Sequence, residues 1–164
     1  MEGINSVPIA EKVSNLICST RVMTLAVSDN NTAWSSPVYF VFCSPKFYFF
    51  SSEKSRHVKW AEPCSKICVS IFHDSDSINE IFGVQMTGKL DCVSDHARYI
   101  RVTKAYTAKF SFLKKIFGRQ LIDNPGFFLE KFNSRLYSFT PEEIFISDNS
   151  RNFGKRIKFD PAKL

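Results

Sequence analysis

The stretch that decides the fold covers residues 34–57 and reads WSSPVYFVFCSPKFYFFSSEKSRH. Residues 35–43 are rich in β-branched and aromatic side chains, a composition typical of strands. Ser44, Pro45 and Lys46 follow as a turn sequence, and residues 47–50 are aromatic again. The stretch therefore predicts two strands joined by a tight turn.

Hydroxyl groups and cations follow this predicted hairpin. Ser51 or Ser52 is in a suitable position to cap a helix that extends through about Ala61. Hydroxyls and Arg56 at a helix N-terminus are typical of an anion site, because unpaired N–H groups and a guanidinium both favour negative charge. An ordinary hairpin followed by an ordinary capped helix explains the same residues, and this alternative stays open.

Working outward, hydrophobic periodicity and turn residues predict the remaining elements. The predicted strands are 22–28, 35–43, 47–50, 66–72, 80–93, 135–139 and 144–147. The predicted helices are 8–18, about 53–62, 94–110, 110–117 and 127–132. Residues 140–143 are predicted as a turn, and Pro125-Gly126 as a break. A meander with a helix between its third and fourth strands predicts a closed antiparallel barrel with peripheral helices, in the mainly β (α+β) class.

The composition indicates one globular domain over residues 1–164, with 44% hydrophobic and 23% charged residues. The 17 phenylalanines suggest aromatic-rich strands and are compatible with a buried oligomer face. No apolar run approaches the roughly 18 residues that span a bilayer. The first residues do not resemble a secretory signal, and the five scattered cysteines indicate reduced thiols in a cytoplasmic protein. Cys64, Cys68 and His73 are too few and too irregular to predict a metal site.

The formal charge of +6 permits an anionic partner without identifying one. Seven cations lie in one segment: Arg98, Arg101, Lys104, Lys109, Lys114, Lys115 and Arg119. A nucleic-acid site would use such a patch, but no nucleic-acid motif accompanies it. A solvated helix face is the preferred interpretation, and nucleic-acid binding is not expected.

Three pieces, in this order, resemble the FMN-binding core of the pyridoxamine 5′-phosphate oxidase-like split barrels. They are Ser35-Ser36-Pro37-Val38-Tyr39, Ser55-Arg56-His57, and Gly83-Val84-Gln85 before Gly88-Lys89. Met23-Thr24-Leu25-Ala26 and the tail Asp148-Asn149-x-x-x-Phe153-Gly154-Lys155-Arg156 are similar to a YhbP-like branch of that superfamily. The resemblance covers residues 23–157 and implies an antiparallel split β-barrel.

The resemblance implies that the turn after the hairpin holds the FMN phosphate. Arg56 would pair with the phosphate in a forked geometry, and Ser52 and Ser55 would donate hydrogen bonds to it. His57 occupies a position where lysine is common in the oxidases. It would add one hydrogen bond and less charge, or it is simply a histidine on the helix surface.

The resemblance also implies where the rest of the flavin lies. Backbone groups of Ser36, Pro37, Val38 and Tyr39 would meet the ring or the ribityl chain. Gln85 offers the donor and the acceptor that a pyrimidine edge requires, or it is a polar residue on the open face of the barrel.

Three further residues each have two expected positions. Trp34 would stack beside the flavin or pack at the start of its strand. Lys155 and Arg156 would approach the cofactor from the partner subunit, or they belong to a solvated tail.

The superfamily holds its flavin in a groove between two subunits, so the resemblance implies a homodimer. We expect an FMN-dependent oxidoreductase of unknown substrate, because the flavin itself supplies the redox chemistry. The C-terminal Arg-x-His motif of the pyridoxamine 5′-phosphate oxidases is absent, and Asn152-Phe153-Gly154-Lys155-Arg156 stands in its place. Oxidation of pyridoxine phosphate is therefore not expected. The alternative is a non-enzymatic module that binds flavin or haem, and the deazaflavin F420 is a third cofactor the resemblance leaves open.

Overall fold

A computed structural model describes residues 7–64, 66–118, 124 and 126–164. The predictions made for Arg119 and Pro125 lie outside these residues. The strands are β1 (Val22–Asp29), β2 (Thr32–Tyr39), β3 (Val41–Cys43), β4 (Lys46–Ser51), β5 (Ile67–Phe72), β6 (Phe82–Cys92), β7 (Arg135–Asp148) and β8 (Arg156–Phe159). The helices are α1 (Ile9–Ser19), α2 (Arg56–Ala61), α3 (His96–Lys109), α4 (Ser111–Phe117) and α5 (Phe127–Phe132). Two 3₁₀ turns cover Ile78–Glu80 and Pro161–Lys163.

The eight strands form one curled antiparallel sheet, a half-barrel with helices around it. The strand order is β2-β1-β5-β6-β7-β4-β3, and β8 pairs with β7 beside this path. The mainly β fold class and the antiparallel split barrel with peripheral helices are confirmed. No helix within the described ranges is long and apolar enough to cross a membrane.

Strand alternation places the main core on one face of the sheet. Along β1, Met23, Leu25 and Val27 are buried, while the residues between them face the other way. The same inner face receives α1 and α2, whose buried residues join this cluster. A second cluster forms where α3 and α5 cover β3 and β4, and there the rings of Phe50 and Phe128 stack with centroids 3.8 Å apart. Many of the phenylalanines therefore pack in the interior of the protein.

The predicted strand 35–43 is two strands, which corrects the strand count before α2. The chain changes its pairing partner at Phe40, whose side chain is fully buried. β2 pairs with β1, whereas β3 pairs with β4 as the predicted hairpin. Helix α2 therefore follows the fourth strand, not the third.

The predicted turn over residues 140–143 is wrong, because β7 runs without interruption from Arg135 to Asp148. Pro141 lies opposite Gly88 at a bulge in the pairing with β6. A proline lacks the N–H that a regular strand pair needs, and a bulge is one of the places that tolerate it. The strand β8 in the tail was not predicted.

Candidate functional site

The turn between β4 and α2 differs from the predicted cap. Ser55, not Ser51 or Ser52, stands at the N-cap position, and its side chain makes no capping bond to the helix. The segment before it folds on itself: Ser55 N and Oγ both donate to Ser52 O, at 3.0 and 2.7 Å. Lys54 N donates to Ser52 Oγ at 3.2 Å. This local turn is why α2 begins at Arg56 instead of near residue 53.

Ser51, Ser55 and His57 form a cluster at this turn. Ser51 Oγ lies 2.8 Å from His57 Nε2 and 3.1 Å from Ser55 Oγ, and Ser55 Oγ lies 3.3 Å from the same nitrogen. Burial of the imidazole lowers the pKa of His57 below its usual 6.5. At neutral pH this histidine is therefore an uncharged hydrogen-bonding group.

Both tryptophans of the chain contact the guanidinium of Arg56. Its Cζ atom lies 4.2 Å from the ring centroid of Trp34 and 5.2 Å from that of Trp60, within cation–π range. The indole N–H of Trp34 donates to Ser36 Oγ at 2.8 Å. Trp34 is an exposed residue with Arg56 as its neighbour, and both positions expected for it stay open.

The four predicted flavin contacts on β2 point to two faces of the sheet. Ser36 pairs with the buried Leu25 and shares its inward direction, as Val38 does. Pro37 and Tyr39 point outward, and the Tyr39 ring lies 5.2 Å from that of Phe110. A ligand on one face of the sheet can therefore contact only every second side chain of β2. This favours contacts through the backbone, as expected for these residues, because β2 is an edge strand.

Gln85 lies on the outward face of the sheet. Its neighbours across the strands are Ser70 of β5 and Phe145 of β7. Arg156 Nε donates to Gln85 Oε1 at 3.2 Å within the same chain. A cleft of about 340 Å³ opens here, lined by Thr24, Ala26, Ser70, Gln85, Thr87 and Phe145. A larger cleft of about 390 Å³, between α1 and β6, contains none of the predicted site residues.

The predicted residues thus separate into two groups. Trp34, which contacts Arg56, and Ser36 share the face of β1 and β2 that carries the core, whereas Gln85 and Arg156 lie on the opposite face. Lys155 is exposed in the loop before β8 and joins neither group by a side-chain contact within the described ranges. Its approach to a cofactor from a partner subunit, like that of Arg156, stays a prediction.

Sequence reasoning missed Trp60 and assigned no site role to the small residues that line the cleft beside Gln85. Trp60 lies four positions after Arg56, a spacing that brings side chains together on a helix. Thr24 and Ser70 are the outward-facing members of strands whose inward members are apolar. Both signals were available in the sequence.

Among the residues that the structure describes, the basic segment and the cysteines give no second candidate site. Lys109 turns away from the other cations: its Nζ donates to Ile17 O at 3.2 Å and lies 4.0 Å from the Phe40 ring centroid. The five cysteines are free. Over the ranges given above, no three His, Cys, Asp or Glu side chains are grouped as metal ligands would be.

Comparison with known proteins supports the resemblance seen in the sequence. No family model matches the chain. The UPF0306 protein YhbP of Escherichia coli O127:H6 is 23% identical over 151 residues, which cover 88% of this chain and 93% of that protein.

Solved structures of the same architecture are similar over most of the chain. HutZ, the haem storage protein of Vibrio cholerae, has a TM-score of 0.63 at 15% identity and covers 85% of this chain and 95% of its own. A FAD-binding protein from Mesorhizobium loti has a TM-score of 0.61 at 13% identity, with 84% and 92% covered. The chain therefore has the split-barrel fold and is similar to the UPF0306 proteins over most of its length, as its resemblance to the YhbP-like branch predicted.

Proposed function

We propose that the protein is an FMN-binding flavoprotein that acts as an oxidoreductase on a substrate the sequence does not name. The observation that carries this proposal is the state of Arg56. Its guanidinium is exposed and contacts two indole rings. Among the residues that the structure describes, no carboxylate forms an ion pair with it. An unneutralised arginine directly after a turn that carries three serines is suited to a phosphate.

The residues around Arg56 fit the phosphate of FMN. Ser52 and Ser55 are partly buried and have hydroxyl groups at the same turn as Ser51. His57 is neutral at pH 7 and would donate one hydrogen bond without adding charge. The bound flavin would supply the hydride and electron chemistry, so this chain needs no nucleophile of its own.

The location of the two groups of site residues on opposite faces of the sheet supports a homodimer with the flavin at the subunit interface. In one chain, the Arg56 group and the Gln85 cleft lie on opposite faces of the sheet. A ligand that used both would pass around the edge strand β2 or lie between two chains. We infer the second arrangement, because the cleft is open and combines small side chains with Gln85 and the ring of Phe145, a surface that a second subunit can cover.

A non-enzymatic flavin- or haem-binding module is the second candidate. It is favoured by the similarity to HutZ, which is described as a haem storage protein. F420 would need the same phosphate site and is a third ligand to test. Nucleic acid is not proposed as a partner, and we expect the protein in the cytoplasm with reduced thiols.

The experiment is a spectrum of the purified protein before and after addition of FMN and desalting. A retained flavin spectrum supports the proposal, and a Soret band supports the haem module instead. Arg56→Ala should abolish FMN retention, whereas Arg98→Ala, on the exposed face of α3, should leave it unchanged. Unaltered FMN affinity in Arg56→Ala would contradict the phosphate site.

Turnover separates the oxidoreductase from the binding module. We expect NADH or NADPH to reduce the bound flavin, and the reduced flavin to pass electrons to an added acceptor. A protein that binds FMN but does neither is a binding module.

A further inference from the structure

The contact between Trp34 and Arg56 has a geometry suited to holding an arginine without occupying its donors. Cation–π attraction acts between the positive charge and the face of an aromatic ring. The five N–H donors of a guanidinium lie in its own plane and are not consumed by such a contact. Among the described residues, the Arg56 side chain donates no hydrogen bond and forms no ion pair.

Trp34 is itself held in one orientation. It is 40% exposed, and an indole at such a site could otherwise rotate. Its N–H donates to Ser36 Oγ at 2.8 Å, and Ser36 is buried on the strand that carries both residues. The hydroxyl therefore fixes the ring, and the ring fixes the guanidinium.

We propose that Trp34 is a positioning residue that pre-organises Arg56 for a phosphate, with Trp60 as a second wall. This inference rests on the proposed function, since it assigns to Arg56 the phosphate of the flavin. A free arginine side chain loses much rotamer freedom when it binds, and an arginine already held by two indoles loses less. Trp34 thus acts on the ligand through Arg56 and does not touch the flavin.

The first test needs no ligand, because Trp34 and Trp60 are the two tryptophans of the chain. Tryptophan fluorescence of the full protein therefore reports on this site alone. We expect acrylamide to quench the fluorescence more strongly in Arg56→Gln, because this substitution removes the guanidinium that covers the two indole rings. Arg98→Gln, on an exposed part of α3, should behave as the wild type. Equal quenching in wild type and Arg56→Gln would overturn the contact.

The second test compares FMN with riboflavin, which lacks the phosphate. We expect Trp34→Ala to weaken FMN binding by about tenfold and to leave riboflavin binding unchanged. Trp34→Phe, which keeps a ring face, should recover most of the loss and guards against misfolding of the alanine variant. In an Arg56→Gln background, Trp34→Ala should cost nothing further. Additive losses would show that Trp34 contacts the ligand directly and would overturn the proposal.

A third titration separates failure of this inference from failure of the proposed function. If the wild type binds no FMN, the proposed function fails, and inorganic phosphate becomes the probe. A saturable change in tryptophan fluorescence with phosphate, lost in Arg56→Gln, would still support the positioning role. No response to phosphate or to FMN would overturn it. FMN binding that is insensitive to Trp34→Ala would overturn the positioning role of Trp34 but would not contradict the proposal that the protein binds FMN.

Discussion

The Oγ atom of Ser51 lies 2.8 Å from Nε2 of His57, across the turn that joins β4 to α2. This contact ties the side chain that ends a strand to the second residue of the following helix. The imidazole is half-buried there and carries no charge at neutral pH, because burial lowers its pKa. The charge of His57, and with it the electrostatics of the proposed phosphate site, therefore changes only at a pH below the ordinary histidine pKa.

We expect His57 to make the protein less stable as the pH falls below about 6.5. The unfolded chain binds a proton at the ordinary histidine pKa, whereas the folded chain does so only at a lower pH. Between these two values the unfolded state binds more protons, so the free energy of unfolding falls with falling pH. Urea unfolding at a series of pH values should show a shallower decline in His57→Gln.

His96→Gln is the control for this experiment, because His96 is exposed at the start of α3. A change in pH dependence that is common to both variants would reflect the loss of an imidazole in general and not the buried position of His57. A decline that is the same in His57→Gln and in the wild type would contradict the assignment to His57.

Local patterns predicted most of the fold, because many elements carry their own signal. The short apolar run of β1 indicates a strand, and the helical spacing of Val13, Leu16 and Ile17 in α1 indicates one buried helix face. β7 was mispredicted because the proline rule is local, whereas the bulge that accommodates Pro141 arises from the pairing of β7 with β6, where Pro141 lies opposite Gly88. β8 was missed because a four-residue strand is too short to show a clear sequence pattern of its own. It forms through its pairing with β7.

The order of the residues along the chain suggested the members of the candidate site, but not the face of the sheet to which each side chain points. The sequence placed Arg56, Gln85 and the β2 residues in one flavin site. Which face each side chain takes depends on the register with β1 and β5, and no motif contains that information. The contact of Trp34 with Arg56 joins residues 22 positions apart and is likewise a product of the tertiary structure.

Gly88→Ala should destabilise the protein by about 2 kcal/mol or more. An added Cβ would overlap the carbonyl oxygen of Thr140 and lie 2.9 Å from Cα of Pro141. Both atoms belong to the backbone of β7, so the strand pair must shift to make room. Chemical unfolding of the two proteins measures the difference.

Gly154→Ala is the matched control, because Gly154 has φ +71° but nothing within 4 Å of the added Cβ. Its cost should be about 1 kcal/mol, from backbone strain alone. A larger loss in Gly154→Ala than in Gly88→Ala would contradict the close approach of the two strands.

Lys12→Met should cost about 2 kcal/mol of unfolding free energy. Lys12 Nζ lies 3.0 Å from Oδ2 of Asp148, whose side chain is 1% exposed, so the substitution leaves a buried carboxylate with fewer partners. Burial alone would raise the pKa of Asp148, but hydrogen bonds from Ser150 and Lys12 outweigh it and hold the pKa below 3.8. The stability from this group is present above the ordinary aspartate pKa and is lost as the pH falls through the folded value.

The Asp148 contribution to acid unfolding should shift to higher pH in Lys12→Met, because the carboxyl group loses a partner for its charged form. Lys158→Met is the control: Lys158 and Glu143 lie 3.8 Å apart and are both exposed, so its cost should stay below about 0.5 kcal/mol. Equal costs for the two lysine variants would contradict the difference in burial.

Gln85→Ala should weaken FMN and riboflavin binding by the same factor, about threefold to tenfold. Gln85 is proposed to meet the flavin ring, which both ligands share, whereas Arg56 is proposed to meet the phosphate, which riboflavin lacks. Flavin titrations of wild type, Gln85→Ala and Arg56→Ala should therefore give two distinct patterns. Lys158→Met serves as the control, since Lys158 lies on the same outward face, beyond Phe145. If Gln85→Ala weakened FMN alone, Gln85 would belong to the phosphate site, and the division of the flavin between the two faces of the sheet would be wrong.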